Sequence, residues 1–355
     1  MLIENQMPNQ SLYHTYKRIR TLQTDKISAL PIVILMPHSA CNCRCVMCDI
    51  WKDNKNLKQL TEGDIKGLLA ALKQFGTKQV LMSGGEALLN ANFFRLCELL
   101  RSEGVNITLL STGLLFRKNT ESLLNLVHDV IVSLDGDQPT HDAIRDIPGA
   151  YAKLKDGVQY LKSIKPDFKI TARTVIHKLN FKVWPLIIPA AKEIGLDQIS
   201  FLPADVTSQA FNRDTPWDAP RQADIMVGVQ DLPLLDSITE EIIEKYATDF
   251  SNNYIAESPD KIRKIYAYYS ALHGLNPFPF KKCNAPWVST VIEADGSVRP
   301  CFFHEKMGNI RDNSLDEILN STQAIEFRKT LDMDKDPTCV KCVCYLNLKP
   351  STNPA

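Results

Sequence analysis

The segment PIVILMPHSACNCRCVMC, residues 31–48, decides how the rest of the chain is read. Its first six residues form an unbroken apolar run of strand length, rich in Ile and Val, as expected of a strand buried on both faces. Four residues later comes CNCRCVMC, which puts Cys41, Cys43, Cys45 and Cys48 on one short loop. Such a loop can be bridged by disulfides, hold a metal, or be inert.

Composition narrows the choice. With 355 residues and 44% hydrophobic content, the chain can bury a large core in one or two domains. Lys+Arg and Asp+Glu number 41 each, so no field of one sign is available to attract nucleic acid or an anionic membrane. The start, MLIENQMPNQ, lacks the basic-then-apolar pattern of a signal peptide. The best candidate for a membrane span, residues 29–36, is only strand-length. A cytoplasmic protein without nucleic-acid or membrane partners is expected. Thiols stay reduced there. Cys283, Cys301, Cys339, Cys342 and Cys344 form a second nest, and only Cys97 stands alone. Two dense nests in a large chain point to two metal sites and away from a disulfide scaffold.

From residue 30 to 205, short β-rich runs alternate with helical patterns. The runs are 31–36, 79–83, 107–111, 130–135, 170–176 and 199–202. TEGDIKGLLAALKQFG (61–76) carries a capping Thr61 with Asp64 three residues on, a stop at Gly76, and an apolar stripe. In the next helix Cys97 lies beside such a stripe and reads as core. Alternation at this spacing gives parallel βαβ units and an α/β fold, a partial (β/α)6 TIM-like barrel with its site on the loops after the strands. Four segments are expected: an N-terminal extension (1–30), the barrel (31–205), a helical bridge (206–282) that covers the open side, and a small C-terminal cysteine domain (283–355). VSTVIEADGSVRPCFF predicts a hairpin that turns at 294–296.

Cys41, Cys45 and Cys48 are spaced C-x3-C-x2-C. Three thiolates from one loop can hold three irons of a cubane [4Fe–4S] cluster and leave the fourth open. Zinc, with His38 as fourth ligand, is the rival. Cys43 is expected to point away from the cluster.

CNCRCVMC resembles the cluster loop of radical S-adenosylmethionine enzymes, whose open iron chelates that cofactor. SGGEAL (83–88), STG (111–113), VSLDG (132–136) and HDAIR (141–145) match the family's motifs in order, with Ala87 in place of the usual proline. The resemblance implies that Gly84, Gly85 and Glu86 lie near the methionine amino group. It puts Ser111, Thr112 and Ser133 near the ribose or carboxylate, Arg145 on the carboxylate, and Leu202 against adenine.

The second nest resembles a twitch domain, the shorter relative of the SPASM domain. That implies one auxiliary [4Fe–4S] cluster on Cys283, Cys301, Cys339 and Cys342, with Cys344 as a substitute for Cys342; a zinc ribbon is the alternative. The resemblance implies reductive cleavage of S-adenosylmethionine to a 5′-deoxyadenosyl radical that abstracts hydrogen from a substrate. An external electron donor such as flavodoxin or ferredoxin is implied. Some thirty residues before the first strand are too few for a peptide-recognition domain. The favoured expectation is therefore oxidation or epimerisation of a small sugar- or cyclitol-like metabolite. A ribosomal-peptide maturase and a non-catalytic iron–sulfur electron-transfer protein are the alternatives. No residue is singled out as catalytic on the substrate side.

Overall fold

The computed structural model describes residues 12–213 and 215–350. Residues 1–11 of the expected N-terminal extension and residues 351–355 of the C-terminal segment lie outside the described residues. Each apolar run of the barrel half becomes a strand: β1 (Ile32–Leu35), β2 (Gln79–Met82), β3 (Asn106–Ser111), β4 (Asp129–Ser133), β5 (Lys169–Ile176) and β6 (Gln198–Pro203). The six pair in parallel, each with its sequence neighbour.

Helices cover one face. The helix Glu62–Phe75 shows why they form where they do. Thr61 and Asp64 close a reciprocal capping box, and Gly76 takes the left-handed conformation (φ 64°) that ends the helix. Ile65, Leu68, Leu72 and Phe75 are buried. In the helix Phe93–Ser102, Cys97 is fully buried in the core. The strands send alternate side chains to the two faces. Val33, Leu35, Val80 and Met82 join the helices' core, while Ile32, Ile34 and Leu81 face inward.

The C-terminal segment continues the same sheet. β7 (Ser289–Ile292) pairs in parallel with β1, placing Val33 opposite Thr290. β8 (Ser297–Arg299) folds back on β7 around the expected turn, and β9 (Gly308–Asn309) follows. The order across the sheet is β6-β5-β4-β3-β2-β1-β7-β8-β9. The tail then lies along the inner face. Leu346 and Leu348 pack on Ile32, Ile34, Leu81 and Val291, each contributing roughly 1.5–3 kcal/mol by burial. Asn284 holds the tail from both sides: its side chain binds the Leu348 carbonyl and N–H, and its N–H binds the Leu346 carbonyl.

At the other edge, the segment after β6 shields the last strand. Ile199 N–H donates to the Tyr254 carbonyl at 2.8 Å, and Ala256 N–H donates to the Ile199 carbonyl at 2.9 Å. The helix Pro259–Leu272 then packs beside β6.

Candidate metal centres and cofactor cavity

The loop after β1 is fastened to the rim of the sheet. Met36 N–H binds the Ile292 carbonyl, and Asn90 binds the carbonyls of Pro37 and Leu60. The carbonyl of Ala40 accepts from Glu86 N–H at 2.8 Å. Gly85 packs directly against this carbonyl: a Cβ there would sit 2.1 Å from the Ala40 oxygen. Gly84, at φ 107°, makes the turn that brings it in. The double glycine therefore serves the close approach of two loops.

The loop delivers Cys41, Cys45 and Cys48 to a cavity of about 220 Å³. Cys43 corrects the expectation that it points away. It is buried, lines the same cavity, and its backbone N–H donates to Cys41 Sγ at 3.5 Å. Cys43 and the Arg145 charge hold the Cys45 thiol at about 6, with burial acting against them. Burial pushes Cys48 up to about 12. His38 does not line the cavity; its Nδ1 accepts from Ala40 N–H at 2.9 Å.

Gly84, Gly85, Ser111, Thr112, Ser133, Arg145 and Leu202 line the cavity as well. Glu86 does not. Its carboxylate is fully buried beneath the loop, where it accepts from Thr112 N–H (2.8 Å), Thr112 Oγ1 (2.7 Å), Ser111 Oγ and Leu88 N–H. Burial raises its pKa, and these donors oppose the shift. Glu86 thus braces the rim between β2 and β3. Arg145 ion-pairs with the fully buried Asp135, and its Nη1 donates to Cys45 Sγ at 3.3 Å. Burial works against its charge, but Asp135 and the thiols outweigh that and raise its pKa. Its Nε has no hydrogen-bond partner.

The second nest assembles from distant pieces. Cys283 precedes β7, Cys301 follows β8, and Cys339 lies on the short helix Pro337–Lys341, with Cys342 and Cys344 just beyond. All five line one cavity. His304 Nε2 lies 3.3 Å from Cys339 Sγ. Lys281 donates to the carbonyls of Val340 (2.8 Å) and Cys342, tying down the last turn.

Residues 35–184 match the radical SAM superfamily, and residues 283–343 match the SPASM iron–sulfur cluster-binding domain. The chain belongs to the radical SAM superfamily and carries a C-terminal SPASM-type domain. It is 24% identical over 341 residues to the Fe-coproporphyrin III synthase of Methanosarcina barkeri, covering 90% of this chain and 83% of that protein. It is also 24% identical over 333 residues to the PqqA peptide cyclase of Bradyrhizobium diazoefficiens, covering 90% and 80%. Among solved structures, Streptococcus suis SuiB bound to its precursor peptide SuiA superposes with a TM-score of 0.62 at 14% identity, covering 92% of this chain and 73% of that one. That structural likeness speaks for the fold.

As a radical SAM enzyme, the chain takes a [4Fe–4S] cluster with one open iron, S-adenosylmethionine, and an auxiliary cluster. The donor sets fit. A single zinc at about 2.3 Å from each sulfur needs thiols about 3.8 Å apart. Among the described residues, the compact group of possible metal donors is His304, Asp336 and Cys339, with ligand atoms within 4.8 Å of one another; it holds a single cysteine, and no three cysteines of either nest lie that close. Thiols that converge on one cavity at wider spacing suit a polynuclear group. Five cysteines in the second nest supply one closed cubane and are too few for two. The unpartnered Nε of Arg145 leaves a cationic donor at the first cavity.

Sequence reasoning expected the 206–282 segment to cover the open side but did not find the residues that roof this cavity. After β6, Arg213 pairs with Asp205 at 2.7 Å and stacks 3.7 Å from the Trp217 ring. Trp217 Nε1 donates to Asp49, next to Cys48, at 2.7 Å, and Arg221 donates to the Val46 carbonyl. Phe211 lines the cavity beneath this lattice. The polar, proline-bearing stretch SQAFNRDTPWDAPRQ carried no local sign of it. No helix among the described residues is long and apolar enough to cross a membrane.

Proposed function

We propose that this radical SAM enzyme modifies a peptide substrate. The observation that carries the reading is the likeness, over 90% of the chain, to a relative that is a peptide cyclase; the fold neighbour solved with a precursor peptide points the same way. The geometry is favourable. The cofactor cavity shares Leu202, Pro203 and Val343 with a groove that opens sideways between β6 and the auxiliary segment, where an extended chain can enter.

In this reading Cys41, Cys45 and Cys48 hold the first cluster, and Cys283, Cys301, Cys339 and Cys342 hold the auxiliary one. When bound, the first cluster and S-adenosylmethionine supply reductive carbon–sulfur cleavage and hence hydrogen-atom abstraction. The protein's own part is electrostatic and steric. Arg145 sets its charge against Cys45 Sγ and offers Nε to the methionine carboxylate. Gly84, Gly85, Ser111, Thr112 and Ser133 form the polar wall, Leu202 the apolar one, and the Asp205–Arg213–Trp217 lattice keeps water out. In this reading the barrel spans 31–205, its bridge and roof 206–282, and the auxiliary domain begins at 283.

The sugar or cyclitol reading is the weaker one, because a peptide cyclase and a porphyrin synthase, each similar over most of this chain, offer it no support. A tetrapyrrole substrate is the second reading, favoured by the likeness to the coproporphyrin synthase over 83% of that protein. The test is anaerobic. Reconstituted, reduced enzyme should release 5′-deoxyadenosine from S-adenosylmethionine; none, with both clusters present, sinks the proposal. Peptides encoded beside the gene should then lose hydrogen by mass spectrometry. If porphyrins change and peptides do not, the second reading takes over.

A further inference from the structure

The groove beside the cofactor cavity concentrates positive charge in a chain whose charges cancel at 41 and 41. Three separate segments contribute to it. Arg173 comes from β5, Lys261 and Lys264 from one face of the helix Pro259–Leu272, and Lys281 from the irregular stretch before Cys283. None of the four forms a salt bridge among the described residues. Among the described residues, Glu257 is the one acid lining the groove. Its Oε2 is occupied by Phe201 N–H at 3.0 Å, and burial raises its pKa while Arg173 opposes that.

The cations differ in what they have left to give. Lys281 is committed to the auxiliary loop through two carbonyls. Lys264 donates once, to the Phe280 carbonyl at 2.8 Å, which leaves two of its three donors. Among the described residues Arg173 makes only a long contact, Nε to Ser200 Oγ at 3.4 Å, which leaves its fork for a bidentate partner. Leu202, Pro203 and Val343 line both groove and cavity, so the two are adjacent compartments. A ligand anchored by its charge in the groove would present its neighbouring carbons to the cavity.

We propose that this groove recognises substrate carboxylates: Arg173, Lys261 and Lys264 hold the anionic part while the reacting carbon passes Leu202 and Val343. The inference rests on the radical SAM reading of the cavity. Its chemistry is shared by acidic peptide side chains and by porphyrin propionates.

The test is equilibrium binding to reconstituted enzyme whose iron content is matched across variants. The probes are a fluorescent Glu-rich peptide, its Gln analogue, coproporphyrin III and its methyl ester. The acid form of at least one pair should bind at least about tenfold more tightly than its neutral form, with the preference shrinking as salt rises. The pair that shows this names the source. Arg173→Gln and the double change Lys261→Gln/Lys264→Gln should abolish the preference, Lys261→Arg/Lys264→Arg should keep it, and Glu257→Gln should enlarge it. Acid and neutral probes that bind alike, or a preference that survives both Gln variants, overturn the proposal. Absence of 5′-deoxyadenosine formation would instead remove the cavity reading on which it rests.

Discussion

The two cysteine nests of this chain reach similar chemistry by opposite routes. The first occupies eight consecutive residues, on a loop pinned to the rim of a parallel sheet. The second draws on a hairpin, a short helix and a tail separated along the chain. A local nest is written in spacing, because the backbone between its thiols is too short to place them elsewhere. A dispersed nest depends on packing far from its ligands. Here that packing includes β7 against β1, and Leu346 and Leu348 on the inner face of the sheet. The first nest should therefore fail through its own loop, and the second through the sheet that carries it.

The sharpest way to break this contrast is to replace Cys41, Cys45 and Cys48 together by Ala. Cleavage of S-adenosylmethionine should vanish, and the chain should keep about half its iron, held by the second nest. Loss of all the iron would mean that the nests are not independent. Next in size is Gly85→Ala. A methyl group 2.1 Å from the Ala40 carbonyl must push the cluster loop outward. Iron in the first nest and 5′-deoxyadenosine release should both fall severely, while the auxiliary cluster's electron paramagnetic resonance signal stays.

Arg145→Leu probes the electrostatics of the first nest. It strands the Asp135 carboxylate, which has no exposure, without its counter-ion. A cost of about 3–5 kcal/mol in urea unfolding is expected, with Arg145→Lys milder. Unchanged stability would show that Asp135 is neutral in the fold. The smallest effect separates two neighbours in the second nest. Cys342→Ser should lower auxiliary iron, while Cys344→Ser should leave it nearly intact; the reverse result assigns the ligand to Cys344.

Much of the barrel could be read without coordinates. Each apolar run became a strand within two residues of its expected ends, and Thr61, Asp64 and Gly76 bounded their helix as capping chemistry requires. Cys97 joined the core, as its stripe implied. What escaped reading was orientation and partnership. Cys43 turned inward, buried in the cavity wall with its backbone N–H on Cys41 Sγ. Glu86 turned under the rim because the Thr112 and Ser111 donors meet it there. The hairpin was visible as a hairpin, but its parallel seat beside β1 was not.

Sequence alone determined the elements and the identity of the thiols, since strand period, helix capping and cysteine spacing are short-range properties of neighbouring residues. Tertiary structure decided which faces those elements present to one another. It gathered five cysteines from the last third of the chain, roofed the cavity with Arg213 and Trp217, and drew Arg173, Lys261 and Lys264 to one groove. Contacts between residues far apart in the chain are chosen by the packing of the whole sheet, and no local pattern records them.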